Sequence, residues 1–305
     1  MEYALVVGES VLDVVHGVGV ETLSHPGGSA VNTAVALARL GRTVRLATCF
    51  ADDDGGRLIA AHLAAAGVEP VGDPHVVAAT ARAEATIDSS GAAHYEITVD
   101  WQLPALGLER PRILHITSFA PLLAPGADQV VALVERLRDN CMVSYDVNLR
   151  PAVTGTGPHL MAAVQRMASQ AHLVKASDED LAVLWPALTP SEGAGQLLAF
   201  GAQAVVVTRG AAGASWHARR RDGMASGGVR CVPVEVADTI GAGDTFAAAL
   251  LDRLWPLVGE PGADLLAELA ADQWSDALNY AARAAAVTVS RPGADPPHAA
   301  ELHAQ

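Results

Sequence analysis

Lysine is almost missing from this 305-residue chain: of 20 basic residues all but Lys175 are arginine. Acids number 34, and the formal charge is −14. Such a surface repels nucleic acid and anionic membrane, so neither is expected as a partner. Any polyanion it handles has to be met by a few local cations and by backbone. Cysteine is equally scarce. Cys49, Cys141 and Cys231 lie far apart with no C-x-x-C pair, and two of them sit in apolar runs as buried thiols do. The histidines show no H-E-x-x-H or paired-ligand spacing, so no zinc site is expected. No charged-then-apolar leader opens the chain and no apolar run reaches membrane-spanning length, which reads as a soluble, cytoplasmic protein. There is no G-x-x-x-x-G-K-[ST], which excludes a P-loop enzyme, and no G-x-G-x-x-G after the first strand, which argues against a nicotinamide dehydrogenase.

What the chain does have is apolar residues, half of the total at a mean hydropathy of +0.25, enough for one large α/β domain with a small appendage. Ala4 to Gly8 is a short apolar run ending in glycine, the form of a buried parallel strand. A helix follows Gly27-Gly28 and stops at Gly41, and Val44 to Phe50 is a strand. The acid triplet Asp52-Asp53-Asp54 lacks EF-hand spacing and reads as a helix cap. From Arg112 onward strands and helices alternate, which implies a mainly parallel sheet covered on both faces. Residues 11–20 and 76–100 differ in character. The latter reads as two antiparallel strands, Thr80 to Ile87 and Ala92 to Val99, around Ser89-Ser90-Gly91. Ala214 to His217 and Val229 to Val236 look like an antiparallel excursion at the sheet edge. The residues after Pro296-Pro297 read as a loose end.

The stretch with most chemistry is Asp238-Thr239-Ile240-Gly241-Ala242-Gly243-Asp244-Thr245-Phe246. Glycines at 241 and 243 permit backbone angles other residues avoid, and an apolar run that can open a helix follows. Bare N–H groups at a helix N-terminus attract anions. An aspartate there is odd for a pure anion site. It makes sense where an anionic group is transferred to a hydroxyl and Asp244 takes that hydroxyl's proton. Open α/β sheets bind ligands at the carboxyl ends of strands. Gly8, Asp146, Lys175 and Thr208 fall at such ends, as does Asp238 after Val234-Glu235-Val236, which groups them in one cleft.

The segment D-T-I-G-A-G-D-T-F-A-A-A-L-L resembles the C-terminal signature of the ribokinase-like (PfkB-type) sugar kinases. Gly27-Gly28-Ser29-Ala30-Val31-Asn32 resembles the family's first motif. Asp146-Val147-Asn148-Leu149-Arg150-Pro151 is similar to a stretch of its fructokinase-like and ketodeoxygluconate-kinase-like branches. The resemblance implies a three-layer α/β/α sandwich made of residues 1–10, 21–75 and 101–305, with residues 11–20 and 76–100 forming a small β lid over the sugar. It also implies ATP-dependent transfer of a phosphoryl group to a small sugar, fructose or a keto-deoxy sugar acid, with Mg2+ on the phosphates. A nucleoside kinase, or a non-catalytic sugar- or nucleotide-binding relative, is the alternative. The first usually needs aromatic surface, poor here, and an intact Asp244 argues against the second.

Carried onto this sequence, the family motifs make Asp244 the base and Gly241, Ala242 and Gly243 the anion hole. Asp13 would accept from two sugar hydroxyls, with Gly27, Gly28 and Asn32 beside it. Arg150 could clamp phosphate, bind an acidic sugar's carboxylate, or simply pair with Asp146. Asn148, Lys175 and the Thr208-Arg209-Gly210-Ala211-Ala212-Gly213 loop would face the nucleotide, as would Arg291 to Ala294. Asp178 replaces the glutamate of the family's Asn-x-x-Glu motif, with Glu179 and Asp180 next, and could hold magnesium through water. Ala282 stands where relatives often place an adenine-contacting asparagine. Asp238 and the loops at 238–243 and 291–294 could hold K+. Pairing through the lid predicts a homodimer.

Overall fold

The computed structural model describes residues 2–16, 23–87, 93–107, 109–221, 223–257 and 265–303. The chain begins with β1 (Ala4–Val7) and then leaves the main sheet for β2 (Val11–His16) and β3 (Leu23–Gly27) before α1 (Ser29–Arg39). It returns with β4 (Val44–Ala47), α2 (Asp54–Ala65) and β5 (Glu69–Pro70), and leaves again for β6 (Arg82–Ile87) and β7 (Ala93–Thr98). Then come β8 (Ile113–Thr117), α3 (Gly126–Leu137), β9 (Met142–Asp146), α4 (Pro151–Thr154) and α5 (Pro158–Ala168). After these lie β10 (Leu173–Ser177), α6 (Asp178–Leu184), α7 (Pro190–Phe200), β11 (Ala204–Thr208), β12 (Ala214–Arg220) and β13 (Gly223–Val229). Four helices finish the chain: α8 (Ala242–Leu254), α9 (Leu265–Glu268), α10 (Ala271–Val289) and α11 (Ala299–His303).

The main sheet runs β13-β12-β11-β10-β9-β8-β1-β4-β5, parallel from β11 to β5 and antiparallel only at β12 and β13. Alternation along each strand sends side chains to opposite faces. Ala4, Val6, Ile113, Leu173 and Val206 pack under α1, α2, α8 and α10, whereas Leu5, Val7, Leu114, Val174 and Val205 pack under α3, α5, α6 and α7. Both faces are covered, which is why the central strands are mostly apolar. Among the described residues no helix is long and apolar enough to cross a membrane.

The second sheet has the order β3-β2-β6-β7. Strands β6 and β7 are antiparallel, as their sequence implies, and β2 lies parallel to β6. Residues 17–20 and 88–92 of the two lid segments lie outside the described residues. Sequence assigns Leu23–Gly27 to the core segment, but it pairs with β2 and belongs to the small sheet. Its Ser-His-Pro-Gly composition hides it, because Pro and Gly are poor strand residues and are tolerated at an edge.

Two further expectations need correction. The hairpin after β12 turns sooner than expected, so its second strand is Gly223–Val229, and residues 230–236 are irregular. Asp238 therefore follows no strand. Glycines at 227 and 228 mask β13; a side chain at 227 would strike the Trp216 indole, its Cβ only 2.7 Å from Nε1. Nor are residues 299–303 loose, since Arg291 bonds Glu301 on α11 and Leu302 is buried in the core.

Candidate active site

Gly241 is the residue on which α8 turns. It sits in the left-handed region at φ 74° as the helix N-cap, and a Cβ there would lie 2.7 Å from Ala294 Cβ and 3.1 Å from Ala294 Cα. Only glycine meets both demands. The Thr245 N–H closes the first helical bond to Gly241 O at 2.8 Å, and the Ala242 N–H turns to Thr239 O at 3.3 Å. The amides of Gly243 and Asp244 are then first-turn donors that the helix itself does not satisfy. Asp238 anchors the turn from outside: its carboxylate accepts the Ile240 N–H at 3.0 Å and the Gly293 N–H at 2.9 Å. These bonds, the Ile240 one foremost, hold its pKa below the usual value. The 238–243 and 291–294 loops are thereby tied together, as the sequence grouping requires, with both Asp238 oxygens engaged by amides.

Asp244, in the first turn of α8, is buried. Ser29 Oγ donates to its Oδ1 at 2.7 Å and Asn32 Nδ2 to its Oδ2 at 2.9 Å, while Asn148 Nδ2 stands 3.5 Å from Oδ1. Ser29 opens α1, so two helix N-termini converge on one carboxylate, a setting that favours negative charge. Asn32, read from sequence as a sugar ligand, touches Asp244 directly, and Asn148, read as a nucleotide ligand, lies beside the same group. Asn148 has φ 32° and Ser118 φ 52°, and among the described residues they are the two non-glycine positions with positive φ. Ser118 Oγ donates to Asn148 O at 3.0 Å, so the two unusual conformations brace each other at adjacent strand ends.

Lys175 does not reach out to solvent. It is 5% exposed, and its Nζ donates to both Asp146 oxygens at 3.1 and 2.8 Å. Burial opposes its charge, but Asp146, together with Asp180 and Asp244, outweighs burial and keeps Lys175 above its ordinary pKa. A Cβ on Gly243 would lie 3.1 Å from that Nζ, so the ammonium sits against the back of the Gly241–Gly243 turn. Sequence left Arg150 as a possible partner of Asp146. Lys175 occupies that place, and Arg150 is exposed, donating to Asn148 Oδ1 at 2.8 Å and Leu149 O at 2.9 Å.

Asp13 is on β2 of the small sheet, directly opposite His25 of β3. Burial pushes its carboxyl up to about 6, against the pull of His25 and Arg150. Gly27 gives it room, since a Cβ there would fall 2.2 Å from Asp13 Oδ2. Gly28, at φ 99°, lies so close to the chain ahead of it that a Cβ would be 2.6 Å from Glu9 O. Of the three acids at the start of α6, Asp180 is committed: it takes the Leu149 and Ser177 N–H groups, both at 2.7 Å. Asp178 is half-buried and accepts the Glu179 N–H at 3.2 Å. At the end of β11, Thr208 leads into a turn in which Gly210 and Gly213 have positive φ and Arg209 N–H bonds Gly213 O. Ala282 packs on the core from α10. Ser29 and Glu9 received no role from sequence. A hydroxyl following Gly-Gly at a helix start is the signal that could have found Ser29.

The whole chain resembles known proteins. The model of the pfkB family of carbohydrate kinases matches residues 1–300. A fructokinase of Rhizobium leguminosarum bv. trifolii is 34% identical over 241 residues, 75% of this chain and 72% of that protein. The fructokinase of Vibrio cholerae O395, solved with fructose, ADP and calcium ion bound, superposes with a TM-score of 0.83 at 26% identity, covering 100% of this chain and 98% of that one. The fructokinase of Xylella fastidiosa with bound ATP gives 0.83 at 25% identity, with the same coverage. The fold is thus the ribokinase-like one that the motifs implied, and the protein belongs to the pfkB family of carbohydrate kinases.

Proposed function

We propose that this protein transfers the γ-phosphoryl group of ATP to a hydroxyl of fructose. The observation that carries the reading is Asp244, a buried carboxylate held by Ser29 and Asn32 in the first turn of α8, directly after the Gly241 turn. In this reading the sugar hydroxyl oxygen attacks the γ-phosphorus, the bond to the β,γ-bridging oxygen breaks, and ADP leaves. Asp244 accepts the hydroxyl proton. The Gly243 and Asp244 amides and the α8 dipole stabilise charge on the phosphoryl oxygens, and Lys175 adds positive potential from behind the turn. Asp13 on the small sheet orients the sugar through its hydroxyls. Residue similarity to fructokinases supports fructose, and the exposed Arg150, bonded to Asn148 and Leu149, is the cation that could meet an anionic group.

Among the described residues no three His, Cys, Asp or Glu side chains gather to hold a metal. One partly accessible carboxylate, Asp178, suits Mg2+, which keeps most of its waters and takes its other ligands from substrate phosphates. There it would neutralise phosphate charge. For a monovalent cation, the Asp238-tied loops supply carbonyl oxygens, and a turnover unchanged by replacing K+ with a large organic cation would remove that proposal. We also propose a homodimer through the small sheet, whose order leaves β3 and β7 as edges among the described residues. Sedimentation as a monomer with full activity would refute it.

The deciding experiment is product formation from ATP with fructose, a 2-keto-3-deoxy sugar acid, ribose and a nucleoside. Fructose 1- or 6-phosphate as main product supports the proposal. Preference for the sugar acid or the nucleoside would move the activity within the family, and no turnover with any acceptor would make the protein a binding relative.

A further inference from the structure

Glu9 lies two residues past the end of β1 and is 5% exposed. Its Oε1 accepts the Ser29 N–H at 3.1 Å, and the hydroxyl of the same serine donates to Asp244 at 2.7 Å. One residue therefore joins two carboxyl groups, through its amide on one side and its side chain on the other. The main chain is keyed to the same place, because Gly28 approaches Glu9 O so closely that only glycine fits. A helix start needs an acceptor for its amides, but serine, asparagine or glutamine would serve. A buried carboxyl is a costly choice, and here the second oxygen, Oε2, has no hydrogen-bond partner among the described residues. It also stands near the like charge of Asp244.

We propose that Glu9 is a positioning residue for Asp244, acting through Ser29 to fix the direction of the hydroxyl bonded to the base and to tune the potential at that base. The proposal rests on the reading of Asp244 as proton acceptor. The titratable and charged groups facing Glu9 are Asp244 from α8, Arg150 after β9, and Tyr145 within β9. Burial, reinforced by Asp244, pushes Glu9 up to about 7. Its negative charge thus appears as pH rises through neutrality, and negative potential beside Asp244 favours arrival of the hydroxyl proton there.

The test is a double-mutant cycle on turnover with the preferred sugar, using Glu9→Ala, Ser29→Ala and the pair, with melting temperature recorded for each. Glu9→Ala and Ser29→Ala should each lower kcat by about tenfold with KM for ATP little changed, and the pair should lose no more than the worse single, as coupled residues do. Glu9→Gln keeps the acceptor for Ser29 and should recover most of the Ala loss near pH 6, but its rise in kcat between pH 6 and 8 should be smaller than wild type's. Additive losses, a loss confined to KM, or a wild-type pH profile in Glu9→Gln overturns the proposal. Should Glu9→Ala fail to fold, the Glu9→Gln profile decides alone. These outcomes are separable from failure of the base itself, which Asp244→Asn reads directly.

Discussion

Asp244→Asn tests the proposed proton transfer apart from everything else the residue does. Asparagine has the same shape and still offers one oxygen, which can accept from Ser29 Oγ as Oδ1 does now at 2.7 Å. Its amide would then face Asn32 Nδ2, which donates to Oδ2 at 2.9 Å, and two donors would meet until the Asn32 amide turns over. One lost hydrogen bond costs about 1 kcal/mol of stability, a shift of about 2 °C in Tm for a domain this large. Loss of a general base costs far more in rate, about 10²–10⁴-fold in kcat, or about 3–5 kcal/mol of barrier. ATP should bind at least as tightly, because a negative charge beside the phosphates is gone. The assay is steady-state kcat with the preferred sugar, with nucleotide titration and thermal melting on the same preparation. A variant that binds ATP, melts near wild type and turns over within tenfold of it would refute Asp244 as the base.

Gly241→Ala must force a side chain into the left-handed region and against Ala294. It should cost about 1–3 kcal/mol of stability and lower kcat, read by melting and turnover; unchanged values would show the turn is not as tight as described. Lys175→Met leaves the Asp146 carboxyl buried without its cation, a loss of about 3–5 kcal/mol in comparable pairs. The Lys175→Met/Asp146→Asn pair should recover much of that loss, and chemical denaturation measures both. Glu9 and Asp13 have folded pKa values raised from 4.5 to about 7 and from 3.8 to about 6, burial being the main cause. The folded state then holds protons that the unfolded state has released, so their contribution falls as pH rises from about 4 to 7. For Glu9 the fall is at most about 3 kcal/mol. Glu9→Gln should flatten the decline in stability between pH 5 and 8, and an unchanged slope would count against the burial of this carboxyl.

Much of the architecture was legible because it rests on local pattern. Short valine-rich runs separated by helical segments specify a parallel sheet buried on both faces, and the Gly-Ala-Gly-Asp stretch marks a glycine turn opening a helix. What was missed is what packing alone decides. Leu23–Gly27 carries no strand signal and becomes one through its partner β2. Residues 234–236 carry a strand signal and form none, because the hairpin closes earlier at Gly223. Residues 299–303 are held by contacts of Arg291 and Leu302 that no local signal announces.

The same division holds within the site. Sequence alone determined that Gly241, Gly243 and Asp244 stand together at a helix start, because three neighbouring residues need no fold to be neighbours. It also determined the family, through motifs at both ends of the chain. Tertiary structure decided who touches whom. Ser29 and Asn32 reach Asp244 across more than 200 residues of chain because α1 packs on α8. Lys175 turns inward to Asp146 because adjacent parallel strands bring the two side chains to the same face, where a buried charge must find its opposite. Glu9 is tied to Asp244 through a single serine for the same reason. A side chain's partners depend on the distance between elements, and sequence spacing fixes that distance only within one element.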